Sequence, residues 1–557
     1  MNPRRTAFAI VALAILLIVA ARVYQRPLVL VNARIYQGGA ISGATTALVV
    51  RGGEIVFLGA DEKALARSPW DAKIIDLGER LVLPGFIDAH VHPMFGAMMD
   101  AACPLQEVET SDQLRDTLAR CHADEPSEVL LGFGLNQSLV KLDQSLFGQD
   151  FDDQPVLLIA YDVHTAFLNR AGLEAMGITA ATPNPDDGLI EKDPATGEPT
   201  GLLLDGALHN VLLAMGNPSA LDSVTMLRDW VRHANQLGYT SLLDAGGGVE
   251  AAGFYQLLDR LGLLDIRLHS AYVLVPTEPG VAQLQALLDG QAFHPSDTNA
   301  AATIKLLIDG VIESNTGALE AGYGIEGDPP PPYFAPEKLK ELVIAADAQG
   351  IMVHMHATGD RAVNLAIDAV AAAREANGNG GPTHTVAHAE LIAPEAIQRL
   401  APLNMVLNTT PIWIAPPDET YETYVRYVGE KRIHWLQPLR SILDSGASLS
   451  FGSDYPVTSN DPFLAIETAV TRKDAIGMSD RVFEPAQRIT VAEAIDSLTR
   501  SGARQLMQDG RVGSLETGKA ADLIVLGQNL FDVPAEAISE TRVDLTVVHG
   551  RIVYQRD

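Results

Sequence analysis

Leu83-Pro84-Gly85-Phe86-Ile87-Asp88-Ala89-His90-Val91-His92-Pro93 decides how the rest of the chain is read. An apolar run leads into two histidines one residue apart. Side chains alternate between faces along a strand, so His90 and His92 point the same way, with Asp88 behind them. Two imidazoles on one face at a strand's end make half of a metal site, and imidazole suits zinc and similar divalent ions. Pro93 has no backbone donor and ends the strand. A buried strand with two hydrogen-bonded histidines is the other reading of this pair taken alone. Residues far downstream decide between them.

Before this stretch the texture is of short strands. VLVNARIYQG (29–38), TALVVRGGEIVFLG (46–59) and AKIIDLGERLVLPG (72–85) alternate apolar and polar residues between Gly turns, which predicts a small antiparallel sheet. The end of the chain repeats that texture in ADLIVLGQNL (521–530) and DLTVVHGRIVYQRD (544–557). Neither piece has enough apolar surface to fold alone. The expectation is that residues 28–84 and 506–557 pair into one outer β-sandwich.

After it, strand-like runs alternate with helical ones, the pattern of βα units on a parallel sheet. Eight such strands are expected, at 86–92, 240–246, 266–274, 303–310, 351–357, 384–390, 404–410 and 448–454. Eight is the number that closes a (β/α)8 TIM-like barrel, here predicted over residues 85–505. Residues 100–235 are too long for one crossover. They hold their own strand-like runs, EVLLGFG and PVLLIAYDV, and read as a large insertion after barrel strand 1, over the barrel mouth. The Pro-rich EGDPPPPYFAPE (326–337) reads as a surface loop.

With 557 residues, 47% hydrophobic and 20% charged, the composition is that of an ordinary globular chain. A formal charge of −30 argues against nucleic acid and anionic membrane surfaces as partners. Arg4 and Arg5 precede an uncharged run from Ala7 to Ala21. That is a signal-peptide pattern, so residues 1–27 are expected to export the chain to the periplasm or beyond, and are either cleaved or retained as an N-terminal membrane anchor. Cys103 and Cys121 are the two cysteines. In an oxidising compartment they can pair; two buried free thiols is the other reading.

Active sites of such barrels lie at the C-terminal ends of the strands. Lys305 alternates with Ile304, Leu306 and Ile308, so it faces the barrel interior with Asp309. A lone buried ammonium is costly. A nearby carboxylate relieves that, and so does carboxylation by carbon dioxide, which makes an anion able to bridge two metals. His356 and His388 lie nearest the ends of strands 5 and 6, while His354 and His384 sit deeper. Asp454 closes strand 8, where a carboxylate can bind metal and take a proton from metal-bound water.

At this point the chain resembles the amidohydrolase superfamily, and within it amidohydrolase family 3. The most specific pieces are LPGFIDAHVHP, IKLLIDGVIESNTGAL, HMHATGDRAV, AHAELI, FGSDYPV and GSLETGKAADLIVL. The resemblance implies a deformed (β/α)8 barrel holding one or two divalent metals, usually zinc. It implies His90, His92, His356, His388 and Asp454 as ligands, Asp454 also as general base, and a carboxylated, bridging Lys305. Tyr161–Asn169 in the insertion is also similar to a family segment; its His164 either reaches the substrate carbonyl or fixes the insertion's fold. Gly201–Asp205 looks similar too, with no chemical role attached.

The expected activity is metal-dependent hydrolysis of an amide or another non-peptide C–N bond in a small molecule. Hydrolysis of an ester or lactone at the same centre is the rival within enzymes. A metal-binding scaffold without catalysis is the rival outside them.

Overall fold

The structure is a computed structural model that describes residues 26–557 apart from 125–126, 137–142, 148–149, 186, 216–218, 277–278, 291–302 and 325–328. The expected signal peptide or anchor, with its apolar core at 7–21, lies outside the described residues. Among those described, no helix is long and apolar enough to cross a membrane.

The eight expected barrel strands are all present: β1 (Phe86–Val91), β2 (Tyr239–Asp244), β3 (Arg267–Val273), β4 (Thr303–Leu307), β5 (Met352–Ala357), β6 (His384–His388), β7 (Met405–Thr409) and β8 (Ser448–Phe451). Each pairs in parallel with the next, in chain order. The ring is nearly closed. Between β8 and β1 the segment after β8 bridges the gap: Asp454 N–H donates to His90 O (2.8 Å) and His92 N–H to Tyr455 O (3.0 Å). Gly452 permits this approach, because a Cβ there would lie 2.5 Å from His90 Cβ.

Side-chain parity explains which residues face the site. Ile304, Leu306, Val353 and Met355 pack outward in one apolar core with Leu339, Leu342 and Val343 of the helix Pro336–Ala348 and with Val363, Ile367 and Val370 of the helix Asp360–Asn377. The alternate positions, Lys305, His354 and His356, are thereby turned inward. The strands stop earlier than alternation suggests. Asp309, Glu390 and Asp454 lie in the turns that follow them, and His388 and Asp454 take left-handed φ of 70° and 54°. Non-glycine residues in that region carry backbone strain of roughly 1–3 kcal/mol each.

Strands from both ends of the chain share a second sheet. Val82–Pro84 pairs antiparallel with Leu523–Val525. This is one continuous hydrogen-bonded sheet with its own apolar core; that topology does not divide it into the two layers of the expected sandwich. Nor is it wholly antiparallel: Leu28–Gln37 and Lys73–Pro84 run parallel. The intervening hairpin and the helix Asp61–Ala66 give the chain room to return in the same direction.

Between β1 and β2 the chain builds a six-stranded sheet in the order 188–192, 199–205, 165–168, 156–160, 130–135, 103–104. A disulfide joins Cys103, on its last strand, to Cys121 in the helix Ser111–Asp124. The long helix Ala220–Gln236 then leads back to β2. The Pro-rich stretch after β4 is only partly a loop, since Pro336 starts a helix at N1, where proline's missing donor costs nothing.

Candidate active site

His90, His92 and Asp454 offer one ligand atom each within 4.8 Å of one another. Asp454 Oδ1 lies 3.2 Å from His92 Nε2 and 3.4 Å from His90 Nε2, and Asp454 Oδ2 lies 3.8 Å from His388 Nδ1. Lys305 Nζ comes within 3.1 Å of His90 Nε2. The rings of His356 and His388 are 4.6 Å apart between centroids, and that of His164 lies 5.6 Å from His356. Every candidate residue named from the sequence therefore reaches one barrel mouth. Two deeper histidines part company there. His354 Nε2 meets His90 Nδ1 at 3.0 Å, leaving His90 Nε2 to face Lys305 and Asp454. His384 turns instead to the helix layer, 3.0 Å from Asp347.

The electrostatics suit a cation. Burial, helped by the Lys305 charge, drives His90 and His354 well below the usual histidine range. Burial and the neighbouring His356 do the same to His388, and burial lowers His356 against the pull of Asp309. These rings are neutral and offer lone pairs, the form that ligates metals. Nδ1 of His356 and of His388 are buried with no hydrogen-bond partner; His356 Nδ1 is at ion-pair range from Asp309, 3.5 Å, but not bonded to it. Orphaned buried nitrogens are rare and destabilising. A divalent ion among these residues would satisfy them, so the donor set fits the expected metal. Burial also lowers Lys305, to about 8, against the attraction of Asp454 and Asp244.

Supporting groups surround this set. Asp88 accepts from Ser453 N–H (2.9 Å) and Ser453 Oγ (2.6 Å), tying β1 to the segment that carries Asp454. Burial raises Asp88 to about 7 despite those bonds. Asp309 is held by the backbone around it. It accepts the N–H groups of Ala318 (2.8 Å), Thr358 (3.0 Å) and Gly359 (2.9 Å), so it clamps the loops after β4 and β5. Asp244 accepts the Tyr255 hydroxyl at 2.7 Å. Trp413 stacks on His388 at 5.4 Å and walls one side of the mouth. Tyr424 donates to Glu313 and lies 3.2 Å from Glu390 Oε2, so one hydroxyl proton stands between two enclosed carboxyls. Burial raises both carboxyls, and mutual repulsion raises Glu390 further.

The inserted sheet delivers His164, whose Nδ1 lies 2.5 Å from Asp205 Oδ1. Burial lowers its pKa, but the bond to Asp205 and that carboxylate's charge outweigh burial and bring it to about 9. Asp205, Tyr424, Trp413 and Tyr255 had no signal in the sequence beyond the similarity around Gly201–Asp205; their partners lie too far along the chain for spacing to reveal.

Comparison with known proteins gives the family. An amidohydrolase family profile matches residues 73–554. The chain is 27% identical to an N-substituted formamide deformylase of Arthrobacter pascens, over 95% of this chain and 99% of that one. It is 28% identical to the protein LONG AFTER FAR-RED 3 of Arabidopsis thaliana, over 95% and 91%. Among solved structures it is similar to an uncharacterized metal-dependent hydrolase of Pyrococcus horikoshii, with a TM-score of 0.74 and 24% identity over 91% of this chain and 99% of that one. A profile match through the whole barrel settles membership: the chain belongs to the amidohydrolase family of metal-dependent hydrolases.

Proposed function

We propose that this enzyme hydrolyses an amide or other non-peptide C–N bond of a small molecule, with His90, His92, His356, His388 and Asp454 holding one or two divalent ions, zinc being among those that imidazole suits. The observation that carries the reading is the convergence of His90, His92 and Asp454 within 4.8 Å, with the unpartnered His388 Nδ1 3.8 Å from Asp454 Oδ2. A divalent ion held there supplies a water of lowered pKa and a positive charge for the carbonyl oxygen. The chain's own groups do the rest. Asp454 takes the proton from the attacking water at a carboxylate oxygen and returns it to the departing nitrogen. His164, held by Asp205 at Nδ1, offers its other ring nitrogen to the carbonyl oxygen as negative charge develops there. Trp413 stacked on His388 excludes water from that side. Lys305 is carboxylated in this reading. Its lowered pKa leaves more of the neutral amine; that amine adds to carbon dioxide and releases one proton to solvent, and the resulting carbamate replaces an ammonium beside His90.

Similarity to an N-substituted formamide deformylase supports small N-acyl compounds as first substrates to try. The test is metal analysis of purified protein together with a screen of N-alkylformamides, N-acyl amino acids, cyclic amides, esters and lactones, before and after chelation. Turnover confined to esters or lactones sinks the amide reading. Turnover that survives complete removal of metal sinks the centre.

Export belongs to the same proposal. Arg4-Arg5 ahead of the apolar run 7–21 supports it, and so does the Cys103–Cys121 disulfide, a bond favoured outside the cytosol.

A further inference from the structure

Gly201–Asp205 had no chemical role in the sequence, and the structure supplies one. Asp205 ends the strand Pro199–Asp205, and its N–H donates to His164 O at 2.9 Å. Its carboxylate meets the same residue again at the ring, Oδ1 lying 2.5 Å from Nδ1. The other carboxylate oxygen accepts the Tyr333 hydroxyl at 2.9 Å. Tyr333 is not part of the inserted sheet. It follows β4, and its N–H donates to Ile308 O at 2.8 Å. A run of hydrogen bonds thus leads from the end of β4 through Tyr333 and Asp205 to the His164 ring. With Nδ1 committed to Asp205, Nε2 is the ring nitrogen left for a substrate. The His164 side chain keeps 19% of its surface exposed, so it can be reached, whereas Asp205 at 6% is shielded.

We propose that Asp205 is the positioning residue of His164, itself fixed by Tyr333, and that the inserted sheet thereby completes the active site with a donor no barrel strand supplies. The proposal rests on the reading of His164 as the donor to the substrate carbonyl. An imidazole on two free torsions samples several rotamers and both tautomers. A carboxylate at Nδ1, locked by a second donor, leaves one ring plane, and its negative charge favours the ring that carries a proton on both nitrogens, so that Nε2–H is there to donate. Misplacement of a catalytic group by about 1 Å costs about 100-fold in rate, so the lock matters to turnover more than to binding. Ser314 Oγ donates to Asp162 at 2.9 Å and pins the inserted sheet to the same β4 loop independently. Loss of the Tyr333 hydroxyl alone therefore leaves the sheet seated.

Two measurements test this. In the metal-loaded full chain with 15N-labelled histidines, the His164 signal is identified by its loss in His164→Gln. Wild type is expected to show a protonated Nδ1, and Asp205→Asn and Tyr333→Phe are expected to shift that signal while the other histidine signals stay in place. A His164 signal unmoved by Asp205→Asn overturns the proposal. On an N-alkylformamide, Asp205→Asn is expected to lower kcat roughly 10–100-fold with KM changed less than about threefold. Added to His164→Ala, the same change is expected to cost less than about twofold more. An equal cost in both backgrounds overturns the proposal, because Asp205 would then act by a route that bypasses His164. Tyr333→Phe, the milder change, carries the same cycle if Asp205→Asn fails to fold. Wild-type inactivity on every amide tried defeats the amide reading, and the His164 signal then decides the role of Asp205 on its own.

Discussion

Asp454 Oδ1 lies 3.2 Å from His92 Nε2, and this contact joins the two ends of the barrel at the point where chemistry is expected. Asp454→Asn keeps the shape and one coordinating oxygen but removes the basic site. General acid–base help is worth about 10²–10⁴ in rate. The variant should fold, retain much of its metal and lose turnover by roughly that factor. Near-wild-type turnover in a metal-loaded sample would assign the base to another group.

His90→Ala and His92→Ala should each lose metal and activity while the barrel stays folded, since each ring is one donor among several. Metal content by elemental analysis, with circular dichroism on the same sample, checks both halves. Wild-type metal content in both variants would make the pair structural.

Asp309 follows a different logic. Its carboxylate accepts three backbone N–H groups from the loops after β4 and β5. In Asp309→Asn one oxygen becomes a donor facing donors. An unmet buried hydrogen bond costs about 1–3 kcal/mol, so the denaturation midpoint should drop at unchanged metal stoichiometry. A variant as stable as wild type would show that the clamp is dispensable.

Glu313 predicts a pH effect on stability. Its carboxyl is raised from an ordinary value of 4.5, chiefly by burial. The folded chain then holds this proton more tightly than the unfolded one. Stability from this group is fullest below 4.5 and is lost as pH rises through the folded pKa. Glu313→Gln cannot ionise yet can still accept from Tyr424. It should shrink the loss of stability as pH rises above 4.5, read as melting midpoints. An unchanged slope would mean that Glu313 does not carry it.

The Cys103–Cys121 bond closes a loop with a sequence separation of 18. A cross-link over a loop of that size is worth about 3 kcal/mol. Reduction, or Cys103→Ser with Cys121→Ser, should make the inserted sheet the first part to open in hydrogen exchange. A fusion of residues 1–30 to a reporter active only outside the cytoplasm should score positive; cytoplasmic retention of the fusion would end the case for export.

Much of the barrel was legible because parity and the C-terminal ends of strands carry local information. Lys305 between Ile304 and Leu306 announces its own direction, and H-x-H announces a shared face. What stayed hidden depends on partners brought together by the fold. Asp309 shares Lys305's inward parity, but parity does not reveal that the N–H groups of Thr358 and Gly359 from the neighbouring strand's loop meet its carboxylate. Asp205 reads as the end of an apolar strand until Tyr333 and His164 arrive on either side of it. The parallel pairing of Leu28–Gln37 with Lys73–Pro84 was hidden for the same reason, since alternation is equal for both strand directions.

Pairing of Val82–Pro84 with Leu523–Val525 also has a consequence for synthesis. A ribosome releases the first partner long before the second exists, so the edge of Lys73–Pro84 waits with its backbone groups unpaired until Leu523–Val525 has been made. Such an edge invites association with other chains. A chain interrupted before Leu523 would keep its barrel strands but present that open edge permanently. Products shortened before Leu523 are therefore expected to be insoluble even where every proposed catalytic residue has been made.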